Sequence, residues 1–531
     1  MTNTDMTEAA TTDTQRADSD TGKEDIPEDM LTKGAMPDAA DIARCSTMIR
    51  ILVAWIAAVM VLTFITVPWL RGGNNGDLSP AMIWFYHAIM IPSAILFLLL
   101  CLRIFPMHPW ARYIVMGGAL DALFSSTGLM VRGYGILVHS ASISAFGMWI
   151  ILPSTFVLFP VTAIFIIGLA ASTIIPRTRQ VLSRQKIEIT WALLLFGISA
   201  LTWIVLGIAY AASEVGISWQ FWAGWQKEPL STLLGNISTS HSHGMLPAFM
   251  GGIVILAAET FGYSKLVGVR KQIARGGVAI MLAGTALFSG IYLVSALGTY
   301  VIPAWFPFGP GAVNGIAMDD TMTGLVGIGA LILAGAMLPE LRNSLARLGS
   351  RIQQRYNPVR IAVYLTYLCA TAALYFYGYY IELNESKFGF ASPPAARYAN
   401  DQIFSRAHLL FVFGALPLMA VLLLAVEISG NVSEIAFRLR QWLSGSIISG
   451  MLITLVGMGI WVFSAPGHST TLGAGNAGEV IYVTGQCLML VGVIIEVFAL
   501  RSGTAAEAGL NTAKRDDATG PISTSTEPAL T

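Results

Sequence analysis

The chain has 531 residues, of which 55% are hydrophobic and 12% charged, with 31 basic and 31 acidic side chains. A soluble domain carries about 25% charged residues, so a mean hydropathy of +0.65 makes lipid the solvent for most of this sequence. Zero net charge and the lack of a basic run exclude a nucleic-acid partner.

Residues 1–43 are rich in Asp, Glu, Thr, Ala and Ser, as are residues 502–531. Neither stretch can bury a core, so both read as disordered cytoplasmic tails flanking a membrane domain over 44–501. The acidic start is no signal peptide. Twelve stretches approach the roughly 20 apolar residues needed to cross hydrocarbon. They lie at roughly 48–70, 80–105, 112–134, 142–172, 187–213, 241–263, 276–301, 316–339, 359–382, 404–428, 441–464 and 477–500. The expected fold is an all-α polytopic membrane protein of about twelve helices in three pseudo-symmetric four-helix units.

Basic residues cluster after even-numbered segments. Arg177, Arg179, Arg184 and Lys186 follow segment 4, and Lys265, Arg270, Lys271 and Arg275 follow segment 6. Arg342, Arg347, Arg351 and Arg355 follow segment 8, and Arg438 and Arg440 follow segment 10. Basic loops stay in the cytoplasm, which puts both termini inside a cell inner membrane. The other face carries Trp219, Trp222, Trp225, Trp305 and Phe306, aromatics suited to the headgroup layer.

Segments 2, 6 and 10 share a pattern. His87 lies in WFYHAIMIP, His241 and His243 in STSHSHGMLPAFMGG, and His408 in SRAHLLFVFGALP. Each segment runs outside to inside, with its His near the start and a Pro further on. The histidines should therefore share a shallow depth, on the order of 5–10 Å below the outer boundary. If three four-helix units close around an axis, these helices converge and their imidazoles point inward at one level. Neutral imidazole is the commonest metal ligand, and two His from facing helices can hold haem iron. His108, His139 and His468 lie in or near loops and read as solvated surface.

The four cysteines, Cys45, Cys101, Cys369 and Cys487, form neither CxxC nor CxxCH. Covalent c-type haem attachment is excluded and a thiolate metal site is disfavoured. Each lies in or beside an apolar segment, where it packs. Asp121 sits mid-span in GGALDALFSS, where a carboxylate needs a partner or water. It is either a proton-relay acid or ion ligand, or a neutral, hydrogen-bonded packing acid. Arg132 faces headgroups or a haem propionate. Glu259, Glu427 and Glu496 lie near cytoplasmic helix ends, where interfacial solvation accounts for them. Gln486 is expected to bond a neighbouring helix, and Gly324, Gly327 and Gly329 to permit close packing.

Twelve helices in three arcs of four, with His near the outer ends of helices 2 and 10, resemble the haem-copper oxidase subunit I superfamily. That superfamily includes cytochrome c oxidases, quinol oxidases and nitric oxide reductases. Its low-spin haem is held by one His from helix 2 and one from helix 10. The resemblance thus implies haem b held by His87 and His408, and an oxidoreductase setting of respiratory electron transfer or nitric-oxide chemistry. It also implies a periplasmic electron donor and other membrane subunits as partners.

The departures are specific. The family's copper takes a His from helix 6 and a His pair at helix 7, but GGVAIMLAGTALFSGIYLVSALGTYVIP has none. The helix 6 His-x-x-x-Tyr is also missing, since Met245 and Pro247 follow His241 and His243 by four residues. Copper is left undecided, and His241 and His243 are read as a metal or second-haem site. HSHGM is also loosely similar to the His-x-His-x-Met element of NnrS-type haem-copper membrane proteins. From other classes, a secondary transporter or channel, or a metal-free partner subunit of a membrane complex, are the alternatives.

Overall fold

The computed structural model describes residues 39–71, 78–180, 182–214, 216–226, 229–297, 315–341, 358–373, 415–429, 434–464 and 477–518. These residues form helices and connecting turns, with no strand among them. Helices are what apolar sequence must form in lipid, because only they satisfy every backbone group within the segment. The principal ones are α1 (Ala39–Arg71), α2 (Leu78–Ile104), α3 (Pro109–Leu137), α4 (Ala141–Ile174), α5 (Arg184–Glu214) and α6 (Leu230–Thr260). They continue as α7 (Gly268–Leu297), α8 (Gly315–Ala336), α9 (Pro358–Ala373), α10 (Leu416–Ser429), α11 (Glu434–Ser464) and α12 (Ala477–Ala518). Nine helices among the described residues are long and apolar enough to cross a membrane, and shorter apolar stretches run over Gly324–Ala336 and Leu416–Ile428. The chain is a multi-pass membrane protein associated with the lipid bilayer.

Local sequence sets several helix ends. Pro109 occupies the first turn of α3, where its missing N–H costs nothing. The Ser140 hydroxyl accepts from the Ile143 amide at the start of α4. Gly262, at φ 107°, ends α6 in the left-handed region that glycine tolerates. Three boundaries differ from the sequence reading. Residues 39–43 and 502–518, assigned there to the tails, are helical in α1 and α12. Both stretches are Ala-rich, and helix propensity acts where apolar content is low. α6 begins at Leu230, not at 241, because its first turns (LSTLLGNISTS) are too polar for a hydropathy window.

Helix neighbours recur with a spacing of four. α1 packs on α2, α5 on α6 and α9 on α10; α3 packs on α4, α7 on α8 and α11 on α12. α1 also meets α3, α5 meets α7 and α9 meets α11. α4 touches α5, α8 touches α9 and α12 touches α1, while α2, α6 and α10 touch one another pairwise. The third and fourth helices of each set approach through glycine, as membrane helices do where small residues let backbones meet. A Cβ on Gly277 would lie 2.6 Å from the Gly329 carbonyl oxygen, and one on Gly485 would lie 2.6 Å from that of Gly450. In α3 and α4, a Cβ on Gly135 would overlap the Ser144 backbone.

One end of the bundle carries most of the fixed charge. Lys186 at the start of α5 donates to Glu259 at the end of α6 at 2.7 Å and to the Ile104 carbonyl at 2.6 Å. Arg360 at the start of α9 donates to Glu427 at the end of α10 at 2.7 Å. Arg112 pairs with Asp41, Arg275 with Glu188, Arg270 with Glu340 and Arg440 with Glu427 at this same end. Glu259 and Glu427 are thus buried ion-pair partners, not the solvated interfacial groups expected from sequence. Their cations stand 73 and 67 residues away, beyond any local pattern.

Candidate functional site, a facing pair of imidazoles

His87 on α2 and His241 on α6 face each other, with ring centroids 6.1 Å apart and planes inclined by 14°. His87 lies six residues into the span Ala81–Ile104 and His241 eight into Leu233–Thr260, roughly 9 and 12 Å deep. Both rings are half-buried.

Each ring is oriented by a backbone carbonyl. His87 Nδ1 lies 2.8 Å from the Ile83 oxygen, and His241 Nδ1 lies 2.7 Å from the Trp203 oxygen on α5. A carbonyl oxygen only accepts, so each Nδ1 carries the proton and each Nε2 keeps its lone pair. Neither Nε2 has a hydrogen-bond partner among the described residues. A backbone acceptor on the far nitrogen is the usual way a metal-ligating histidine is held.

The α5–α6 seam makes room for this arrangement. A Cβ on Gly207 would lie 2.5 Å from His241 Cε1 and 2.6 Å from its Nδ1. A Cβ on Gly244 would overlap the Trp203 indole, whose Nε1 donates to Ser199 Oγ at 3.3 Å. Trp203, fully buried, therefore anchors the carbonyl that holds His241. Sequence reasoning missed Trp203 and Gly207, since neither lies on a helix bearing a candidate His.

The remaining sequence candidates are placed as follows. His243 is two residues beyond His241, roughly 200° around the helix, and its Nδ1 meets Ser242 Oγ at 3.1 Å. The doublet is thus divided, and His241 makes the ring contact with His87. His408 and His468 lie outside the described residues. His139 is exposed, whereas His108, expected in solvent, is half-buried at the start of α3 with a buried Nδ1. Packing of the α2–α3 turn against the bundle encloses it.

Asp121 is half-buried in α3 and has no hydrogen-bond or ion-pair partner among the described residues. Arg132 lies over the Trp84 ring at 4.3 Å, one turn before His87 on α2, and so meets the bundle in addition to any headgroups. Gln486 was expected to bond a neighbour, but its buried Nε2 has no partner among the described residues. Glu496, expected at a solvated interface, is fully buried on α12, a helix that packs against α11, α1 and α10. The Cys45 thiol donates to the Leu99 carbonyl at 3.3 Å, a packing contact.

Zn–N lengths of ~2.0–2.1 Å, with a ring centroid roughly 1 Å behind each nitrogen, put two imidazoles on opposite sides of one ion about 6 Å apart. The centroid separation of 6.1 Å is of that size, with the two rings stacked within 14° of parallel. Among the described residues no group of three His, Cys, Asp or Glu could hold a metal, so a copper triad has no counterpart there. No protein-family model matches the chain, and no curated protein matches it.

Proposed function

We propose that this chain is a haem-binding membrane protein built on the plan of haem-copper oxidase subunit I, with His87 and His241 as paired imidazole ligands. The observation that carries the reading is the facing pair itself, with each Nδ1 tied to a carbonyl and each Nε2 without a partner. Two imidazoles suit low-spin iron, which supplies one-electron transfer when bound. Arg132, held over Trp84, places a cation at the same end, where a propionate would need one.

The four-helix recurrence of neighbours supports three pseudo-symmetric units around α2, α6 and α10. The basic end faces the cytoplasm by the positive-inside rule, which puts the imidazoles in the outer half. Electron transfer with a periplasmic donor, in a respiratory or nitric-oxide-related role, follows from that depth and from the family plan. His408, outside the described residues, is the ligand the family plan would supply from the tenth apolar segment of the sequence. Among the described residues, His241 is the imidazole that lies against His87, and it supports the pairing proposed here.

The test is the absorption spectrum and iron content of the purified full chain from haem-replete cells. The expected result is a low-spin b-type spectrum with about one haem per chain. His87→Ala and His241→Ala should each convert it to a high-spin or haem-free form, while His139→Ala leaves it unchanged. Colourless, iron-free protein would overturn the reading and favour a transporter or a metal-free partner subunit.

A further inference from the structure

Glu496 of α12 is 0% exposed, and neither carboxyl oxygen has a hydrogen-bond partner among the described residues. It stands four residues inside the span Val480–Leu500, roughly 6 Å from the basic end.

The packing register of α11 and α12 shows what lies opposite. Gly457 meets Tyr482, Gly450 meets Gly485 and Met489, and Gly492 meets Ile447. Continuing this antiparallel register by one turn brings Ser444 level with residues 495 and 496. Met489, Gly492 and Glu496 follow one another at spacings of three and four, so they share the stripe that faces α11. Ser444 is 2% exposed, and its hydroxyl is also without a partner among the described residues. Two buried polar groups without partners among the described residues therefore lie at about one level of the α11–α12 packing register. About 15 Å further along the seam, Thr454 Oγ1 and Gln486 Nε2 are buried in the same state.

Charged groups on the helices packed against α12 do not pair with Glu496 among the described residues. α1 carries Asp41, Arg44, Cys45 and Arg50, α10 carries Glu427, and α11 carries Arg438 and Arg440. Asp41 is held by Arg44 and Arg112, Glu427 by Arg360 and Arg440, and Cys45 bonds the Leu99 carbonyl. Glu496 forms no ion pair with any of them among the described residues. An ionised carboxylate so placed would cost several kcal/mol, whereas the neutral acid needs no counter-ion.

The geometry points to Glu496 as a proton-binding site inside the bundle, with Ser444 beside it. The carboxylate takes one proton from hydronium at the basic end, leaving water, and becomes the neutral acid. This site is independent of the imidazole pair and stands whether or not haem is bound.

Infrared spectroscopy of the full chain in detergent at neutral pH tests it. The wild type should show the carbonyl stretch of a protonated carboxyl, moving to lower frequency in deuterium oxide as the proton exchanges. Glu496→Gln, which has the shape of the neutral acid, should keep the melting temperature and lose that band. Superimposable spectra in this region, or a band removed by sodium at constant pH, would overturn the proposal, the latter in favour of a cation site. Should Glu496→Gln not fold, carbodiimide labelling of the wild type mapped by mass spectrometry decides. Label on Glu496 that declines as pH rises supports the site, and its absence in protein labelled elsewhere overturns it.

Discussion

Lys186 and Glu259 are 15% and 8% exposed, so their pair has lost most of its hydration. Such a pair contributes little over an apolar replacement, but removing one partner strands the other. Lys186→Met should lower stability by about 3–5 kcal/mol, while Lys186→Met/Glu259→Leu should recover much of that loss. Thermal melting in detergent measures both, and equal melting temperatures for the single variant and the wild type would show the pair to be hydrated. Sequence placed Glu259, Glu427 and Glu496 in one class because all three sit near the same ends of even-numbered helices. The structure separates them by what each finds 67 or 73 residues away, and Glu496 finds no partner among the described residues. Position along a helix is legible in sequence, whereas the partner across a helix interface is not.

At the scale of elements, the α5–α6 seam decides how His241 is held. Gly207→Ala should press on the ring at Nδ1, disturb its bond to the Trp203 carbonyl and shift the ligand-dependent spectrum, with insertion into the membrane retained. Gly235→Ala, where a Cβ meets nothing within 4 Å, is the matched control on α6. A spectrum indifferent to Gly207→Ala would mean that His241 is not a ligand. The convergence of α2, α6 and α10 was legible, because histidines recurring every fourth helix at similar depth required only counting. Which imidazole faces His87 was not legible. That depends on helix rotation, and rotation is set here by Gly207, Gly244 and Trp203, whose contact is between helices.

At the scale of the whole molecule, contact between α12 and α1 joins the last set of helices to the first. Asp41, in the first turn of α1, reaches Arg112 of α3 at 3.2 Å and is 6% exposed. Deleting residues 1–38 should therefore leave the melting temperature unchanged, and extending the deletion through residue 44 should lower it clearly. Equal melting temperatures for both deletions would remove Asp41 from the account of how the bundle is held. Composition assigned residues 1–43 and 502–531 to tails, and residues 1–38 and 519–531 lie outside the described residues. Residues 39–43 begin α1, and Asp41 looks like tail in the sequence because its partner Arg112 stands 71 residues away.

The central claim is that His87 and His241 together bind iron. Near-infrared magnetic circular dichroism of the purified chain tests it most directly, since its charge-transfer band reports the axial ligands of low-spin haem. The account predicts a bis-imidazole band in the wild type, shifted to the His–Met position by both His87→Met and His241→Met. A band that moves with His87→Met and His408→Met but ignores His241→Met would contradict it.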